Sequence, residues 1–157
     1  MEKILSVERV FDKYSDMVYR LAFARVKNKY DADDILQEVF LRYMRAKKQP
    51  QSEEHIKALL IRITINCSKS SLTSPHRKRT EPLSEQFSVS DGNFDTLDAV
   101  LRLPLKYRTA VHLHYYCGYS VEELAAILSV KPSAIKSQLF RARKMLAKEL
   151  KGDELNV

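Results

Sequence analysis

The chain has 157 residues, a formal net charge of +7, two cysteines and few glycines or prolines, which suits one ordinary domain or two small, mainly helical ones. No apolar run is long enough to span a membrane, and the N-terminal segment MEKILSVERVF is too charged for a secretion signal, so we expect a cytoplasmic protein without membrane insertion. Cys67 and Cys117 cannot form a disulfide framework, and the positive charge favours an anionic partner, most commonly nucleic acid.

The first predicted element runs from Val7 to Lys27, where apolar and aromatic residues recur at helical intervals. One long helix or two short ones fit this pattern. Phe11, Tyr14 and Tyr19 are interpreted as core residues, because aromatic side chains at helical spacing usually pack in the interior.

A second helix follows, and Asp31 is predicted to cap it. Four residues fall together on its outer surface, where they form a small acidic patch with an apolar centre: Asp34, Gln37, Glu38 and Leu41. Favourable electrostatics at a helix start explain part of this patch. They explain Glu38 and the exposed Leu41 poorly, so a protein partner is the better interpretation.

A polar loop from Lys47 to Glu54 precedes a third apolar segment, which begins near Ile56. This segment could also be a buried strand, but the chain has no other strand signal to pair with it, so we predict a helix. The helix becomes polar towards its end and reaches a basic stretch, Ser74 to Arg79. A nucleic-acid contact and a solvated helix end both fit that stretch.

The polar, serine-rich segment from Thr80 to Phe94 has no sustained periodicity and is predicted to be a linker. It divides the chain into an N-terminal domain at 1–79, a linker at 80–94 and a C-terminal domain at 95–157. The C-terminal domain is predicted to begin with short helices over Leu97 to Leu103 and Lys106 to Tyr116.

The last part of the chain is interpreted as a helix-turn-helix. Ser120 and Glu123 have the spacing of a capping box, and Pro132 suits the first position of a second helix. A stripe of apolar residues in that second helix leaves hydrogen-bond donors on its other faces: Ser133, Lys136, Ser137, Gln138, Arg141 and Lys144. A helical bundle that binds nothing is the alternative. It is disfavoured because Glu149 is the only acid between Lys131 and Lys151.

No set of residues typical of an enzyme can be assembled. The chain lacks a glycine-rich phosphate loop and a Ser-His-acid order, and the cluster His112, His114 and Cys117 does not have the spacing of a common zinc site. We therefore expect no enzymatic activity, no cofactor and no bound metal.

Two segments resemble one family, the extracytoplasmic-function (ECF) sigma factors of bacterial RNA polymerase. The sequence DADDILQEVFLRYMR is similar to the region 2 signature of that family, and LRLPLKYRTAVHLHYYCGYSVEELAAILSVKPSAIKSQLFRARKML is similar to its region 4. The two motifs occur in the expected order at the expected separation. The resemblance implies an all-α fold with two small helical domains joined by a flexible linker, the C-terminal one containing the helix-turn-helix.

The resemblance also implies partners and roles. Core RNA polymerase would be bound through Asp34, Gln37, Glu38 and Leu41. The downstream promoter element would be gripped as its strands open by Lys47, Lys48, Gln49, Gln51, Arg62, Asn66, Lys69 and Ser70. The upstream element would be read in the major groove by Lys131, Ser133, Ala134, Lys136, Ser137, Gln138, Arg141 and Lys144.

This sequence departs from the usual pattern of the family at several positions. Leu59 stands where the family usually has Trp, and Ala134 and Gln138 stand where Thr and Arg are usual. We expect these changes to alter promoter preference, because Gln prefers adenine edges and Arg prefers guanine.

Two further questions stay open at this point. A free-standing transcriptional regulator that binds an operator through the same helix-turn-helix is the rival hypothesis. An anti-sigma protein is common in the family, and the sequence does not reveal whether this chain has one.

Overall fold

A computed structural model describes residues 6–46, 50, 52–73 and 94–155, with the backbone alone at 94–97 and 151–155. These residues form helices and turns and no strand, which confirms the all-α prediction. The chain divides into two compact units, Met1–Gln86 and Phe87–Val157. Within the described residues, no helix has both the length and the apolar character needed to cross a bilayer.

The N-terminal unit contains three mutually packed helices, α1 (Val7–Val26), α2 (Lys29–Arg45) and α3 (Glu53–Thr73). The segment from Val7 forms one helix and not two. It begins at Ser6, whose side chain accepts a hydrogen bond from the Arg9 backbone N–H, and it ends at Lys27 in the left-handed conformation with φ 55°.

The cap of α2 is Asn28, and the prediction of Asp31 as the cap is wrong. Asn28 has extended backbone angles, and its Oδ1 accepts from the Asp31 N–H at 2.9 Å. The connection from α1 is so short that α2 begins at Lys29, which places Asp31 inside the first turn. Asp31 still lies where the positive end of the helix dipole favours an acid.

The core of the N-terminal unit is formed by apolar side chains from all three helices, among them Val10, Val18, Ile35, Val39, Ile56 and Leu60. Tyr14 is buried with them, while Tyr19 is half-buried at the edge of the core. Phe11 contradicts its assignment to the core, because 42% of it is exposed. Its ring packs edge-on against Phe40, with 4.9 Å between the centroids, so one side faces the core and the other faces solvent.

The C-terminal unit begins with α4 (Phe94–Leu101) and α5 (Leu105–Val111), followed by a π-helical turn (His112–Tyr116). The unit ends with α6 (Val121–Leu128) and α7 (Pro132–Leu155). The predicted helix over Leu97 to Leu103 therefore starts and ends earlier, and the predicted helix from Lys106 changes to π geometry at His112. Leu113, Leu124, Ile135 and Leu139 are nearly inaccessible and form the centre of this unit.

Candidate interfaces for nucleic acid and protein

The helix-turn-helix forms as predicted, with α6 and α7 as its two helices. The capping box is complete: the Ser120 N–H donates to Glu123 Oε1 at 2.9 Å, and the Glu123 N–H donates to Ser120 Oγ at 3.1 Å. A cap of this kind stabilises a helix by about 1 kcal/mol. Ser129 takes the left-handed conformation after α6, with φ 56°, and Pro132 begins α7.

Helix α7 is buried along one side and exposed along the other. Ile135, Leu139 and Ala142 are buried against the rest of the unit. The residues predicted to read the upstream element are exposed, except for two that are half-buried, Ala134 and Gln138; the exposed ones are Lys131, Ser133, Lys136, Ser137, Arg141 and Lys144. The fold thus brings these residues together on one surface, where Lys and Arg can contact phosphates and polar side chains can reach base edges.

Arg141 on α7 interacts with a tyrosine on another helix. A side-chain hydrogen bond from Arg141 lowers the pKa of Tyr107, whose side chain is buried on α5.

Phe140, which was not predicted as part of this surface, is 57% exposed on the outer side of α7. Lys144 Nζ lies 5.0 Å from the centre of its ring. Phe140 follows Ser137 by three residues and precedes Lys144 by four, so helical spacing alone could have placed it on this surface. An apolar group here is suited to contact a thymine methyl group.

The acidic patch is present on the outer side of α2. Asp34, Gln37 and Leu41 are exposed, and Glu38 is half-buried. Glu38 Oε1 accepts from Arg42 Nε at 3.0 Å, so Asp34 carries more of the patch's uncompensated negative charge than Glu38 does.

The apolar centre of the acidic patch is larger than predicted. Leu41 is 44% exposed, and Met44, three residues further along the same surface, is 59% exposed. Met44 was not predicted as part of the patch, although its spacing from Gln37 and Leu41 was a sufficient signal. Exposed apolar side chains beside charged ones are typical of protein interfaces.

Helix α3 carries the predicted downstream-element residues that the structure describes. Arg62, Asn66, Lys69 and Ser70 are all exposed, and their spacing places them on one face of the helix. Thr73 continues this face, and its hydroxyl donates to the Lys69 carbonyl at 3.2 Å. Four other predicted residues, Lys47, Lys48, Gln49 and Gln51, lie outside the described residues, as do Ser74 to Arg79 and the linker up to 93.

The cluster His112, His114 and Cys117 is held by ordinary contacts. The His112 ring stacks on Tyr116 with 5.2 Å between the centroids, and His114 Nδ1 lies 2.7 Å from the Tyr119 carbonyl oxygen. Across the described residues, no group of three His, Cys, Asp or Glu side chains is arranged to hold a metal ion.

Both units match known protein families. Residues 10–79 match the family described as sigma-70 region 2, and residues 94–146 match the family described as sigma-70, region 4. The RNA polymerase sigma factor SigV of Bacillus subtilis is 29% identical over 98% of this chain and 96% of its own length. The ECF RNA polymerase sigma factor SigM of Mycobacterium tuberculosis is 30% identical over 91% of this chain and 76% of its own length.

Solved structures share the fold. The sigma factor RpoE of Bartonella quintana, crystallised with the anti-sigma factor NepR, has a TM-score of 0.72 at 22% identity and covers 92% of this chain and 96% of its own. CnrH, solved with the cytosolic domain of CnrY, has a TM-score of 0.70 at 20% identity and covers 94% of this chain and 88% of its own.

Proposed function

The chain belongs to the extracytoplasmic-function sigma factors of bacterial RNA polymerase, and from this we propose how its surfaces divide the work of promoter recognition. As a member of that family it is a promoter-specificity factor that binds core RNA polymerase and directs it to promoter DNA. Both region matches occur in order on one chain, so a free-standing operator-binding regulator is not favoured.

The N-terminal domain, proposed as residues 1–79, binds core polymerase through the acidic patch. The exposed Asp34 and Gln37 supply charge and hydrogen-bonding groups, and Leu41 supplies apolar area that is lost from water on docking. The family's docking partner, the clamp coiled coil of the largest polymerase subunit, is the proposed target.

The polar face of α3, formed by Arg62, Asn66, Lys69 and Ser70, contacts the downstream promoter element. The exposed cations of this face attract the phosphate backbone, while Asn66 can donate to and accept from base edges that become accessible as the strands separate. The loop bearing Lys47, Lys48, Gln49 and Gln51 is proposed to complete this contact by holding a base turned out of the stack.

The C-terminal domain, proposed as residues 95–157, places α7 in the major groove of the upstream element. Arg141 and Lys144 bind phosphates, and Gln138 reads a base edge. The segment 80–94 links the two domains along the polymerase. Together the contacts with the downstream and upstream elements favour the open promoter over the closed one. The factor therefore acts by differential binding and supplies no covalent chemistry.

We further propose that the protein acts in the bacterial cytoplasm, where the polymerase is located, and that an anti-sigma protein holds it in the resting cell. The similar proteins RpoE and CnrH were solved in complex with NepR and CnrY, which supports a partner of this kind.

The observation that carries the proposal is that one chain has both an exposed acidic patch on α2 and a basic recognition surface on α7. Its first test is assembly: the purified protein is mixed with core RNA polymerase and separated by size-exclusion chromatography. Co-elution is expected. Separate elution at micromolar concentrations of both would contradict a sigma factor.

A further inference from the structure

Arg25, in the last turn of α1, has a guanidinium group that is buried against α3. Only 5% of it is exposed, and it is the one charged side chain buried among the described residues of the N-terminal unit. Its Nε donates a hydrogen bond to Ser68 Oγ on α3. Ser68 Oγ in turn donates to the Ile65 carbonyl at 2.7 Å, so the Ser68 hydroxyl connects the side chain of Arg25 to the backbone of α3.

Ser68 lies at the point along α3 where the buried face of the helix ends. Ser68 is the last buried residue of the helix, and beyond it Leu72 is a partly buried apolar residue packed against the core. Asn66 and Lys69, which flank Ser68 closely in sequence, point to the exposed opposite face. The Arg25–Ser68 link therefore lies directly behind the proposed contact with the downstream promoter element.

A buried charge stands at this place, where an apolar side chain would also fill the space. Desolvation by burial lowers the pKa of Arg25 to about 10, so the side chain is still charged at neutral pH and bears the cost of its lost hydration. An apolar side chain of similar length could occupy the same space without that cost. An apolar side chain makes no directional hydrogen bond. It therefore could not fix the rotation of α3 about its axis or its position along that axis.

We propose that Arg25 is a positioning residue for promoter opening: through Ser68 it sets the orientation of the polar face of α3 that engages the downstream element. This inference rests on the proposed function of that face. It predicts that promoter opening and the stability of the domain respond differently when the link is removed.

The decisive variant is R25M, which replaces the guanidinium by an apolar chain and leaves Ser68 Oγ bonded to the Ile65 carbonyl. We expect its thermal midpoint to equal or exceed that of the wild type, and its affinity for core polymerase to stay within twofold. Open complexes, measured by permanganate reactivity of unpaired thymines on a promoter fragment selected from genomic DNA by the wild-type holoenzyme, should fall at least threefold.

Two further variants separate positioning from simple destabilisation. S68A removes the acceptor and should lose open complexes as R25M does, and it decides the question if R25M does not fold. C67A is the matched control, because Cys67 is equally buried on α3 but is not part of the link. It should lower the midpoint while open complexes stay within twofold of the wild type.

The inference is overturned if R25M and S68A open the promoter as well as the wild type does. It is also overturned if C67A loses open complexes in proportion to its midpoint, since that would show a merely structural effect. A wild-type protein that formed no holoenzyme would contradict the proposed function as well, whereas equal opening by wild type and variants contradicts this inference alone.

Discussion

Arg143 on α7 and Tyr115 in the π-helical turn are joined in two ways. Arg143 Nε donates a hydrogen bond to Tyr115 Oη at 2.6 Å, and its guanidinium carbon lies 5.7 Å from the centre of the tyrosine ring. Tyr115 is 56% exposed, so this pair braces the recognition helix from outside the core. Irregular turns of this kind commonly occur at functional sites.

Removing the Arg143–Tyr115 contact should slightly lower the free energy of unfolding of the C-terminal unit, and two variants separate the contributions of the hydrogen bond and the ring. Y115F loses the hydrogen bond and should lower the free energy of unfolding by about 0.5 kcal/mol, because the site is solvated. Y115A also loses the ring and should cost a further ~0.5–1 kcal/mol. Chemical denaturation measures both changes. Y116A is the control, since Tyr116 is 62% exposed in the same turn and its ring stacks on His112; a larger loss for Y116A than for Y115A would contradict the bracing role.

Charge reversal on α2 should weaken holoenzyme formation. We expect D34K with E38K to weaken binding to core polymerase by at least tenfold, which corresponds to about 1.4 kcal/mol. Fluorescence anisotropy of the labelled protein titrated with core polymerase measures this. D16K changes an exposed acid of α1 that lies outside the acidic patch, and it should bind as the wild type does. Equal affinities for the double variant and the wild type would remove the acidic patch from the interface.

Two polar residues of the recognition surface, Arg141 and Gln138, should have different effects on DNA binding. R141A should weaken binding to all promoters alike and reduce the slope of log K against log salt by about one, because a phosphate contact is lost. Q138A should change the preferred base at one position, with a discrimination of about 1–3 kcal/mol at stake. Selection from a randomised upstream element by each holoenzyme compares them, and an unchanged preference for Q138A would reject its role in reading bases.

The N-terminal unit should lose stability in alkaline solution. Burial raises the pKa of the Cys67 thiol above its usual value of 9.0, so ionisation favours the unfolded chain. The stabilising effect is complete below pH 9 and is lost as the pH rises through the folded-state pKa. Tyr19 and Tyr43 also have pKa values raised by burial and add to this loss above pH 10. Thermal unfolding between pH 8 and pH 11 should show a smaller decline for C67A; an equal decline would exclude Cys67 as a source.

Local signals predicted the helix-turn-helix well, because each depends on residues a few positions apart. The Ser120–Glu123 capping box and the helix start at Pro132 are confirmed. The exposed residues of the acidic patch followed from helical spacing in the same way.

Features that depend on how the helices are connected and packed were not predicted. Asn28 caps α2 because the turn after α1 is short, which the spacing of acids could not show. Phe11 is half in the core and half in solvent because Phe40 covers one side of its ring only. The burial of Arg25 could not be predicted, because its partner Ser68 is 43 positions away in the sequence.

The most direct test of the account is transcription from a selected promoter. Genomic fragments bound by the reconstituted holoenzyme are isolated, and run-off transcription is measured on them with core polymerase alone, with the wild-type protein and with the D34K/E38K variant. The account predicts specific transcripts only when the wild-type protein is present, all initiating at a fixed distance downstream of a shared pair of sequence elements. Fragment binding by the protein with no dependence on core polymerase, and no specific transcript, would contradict it.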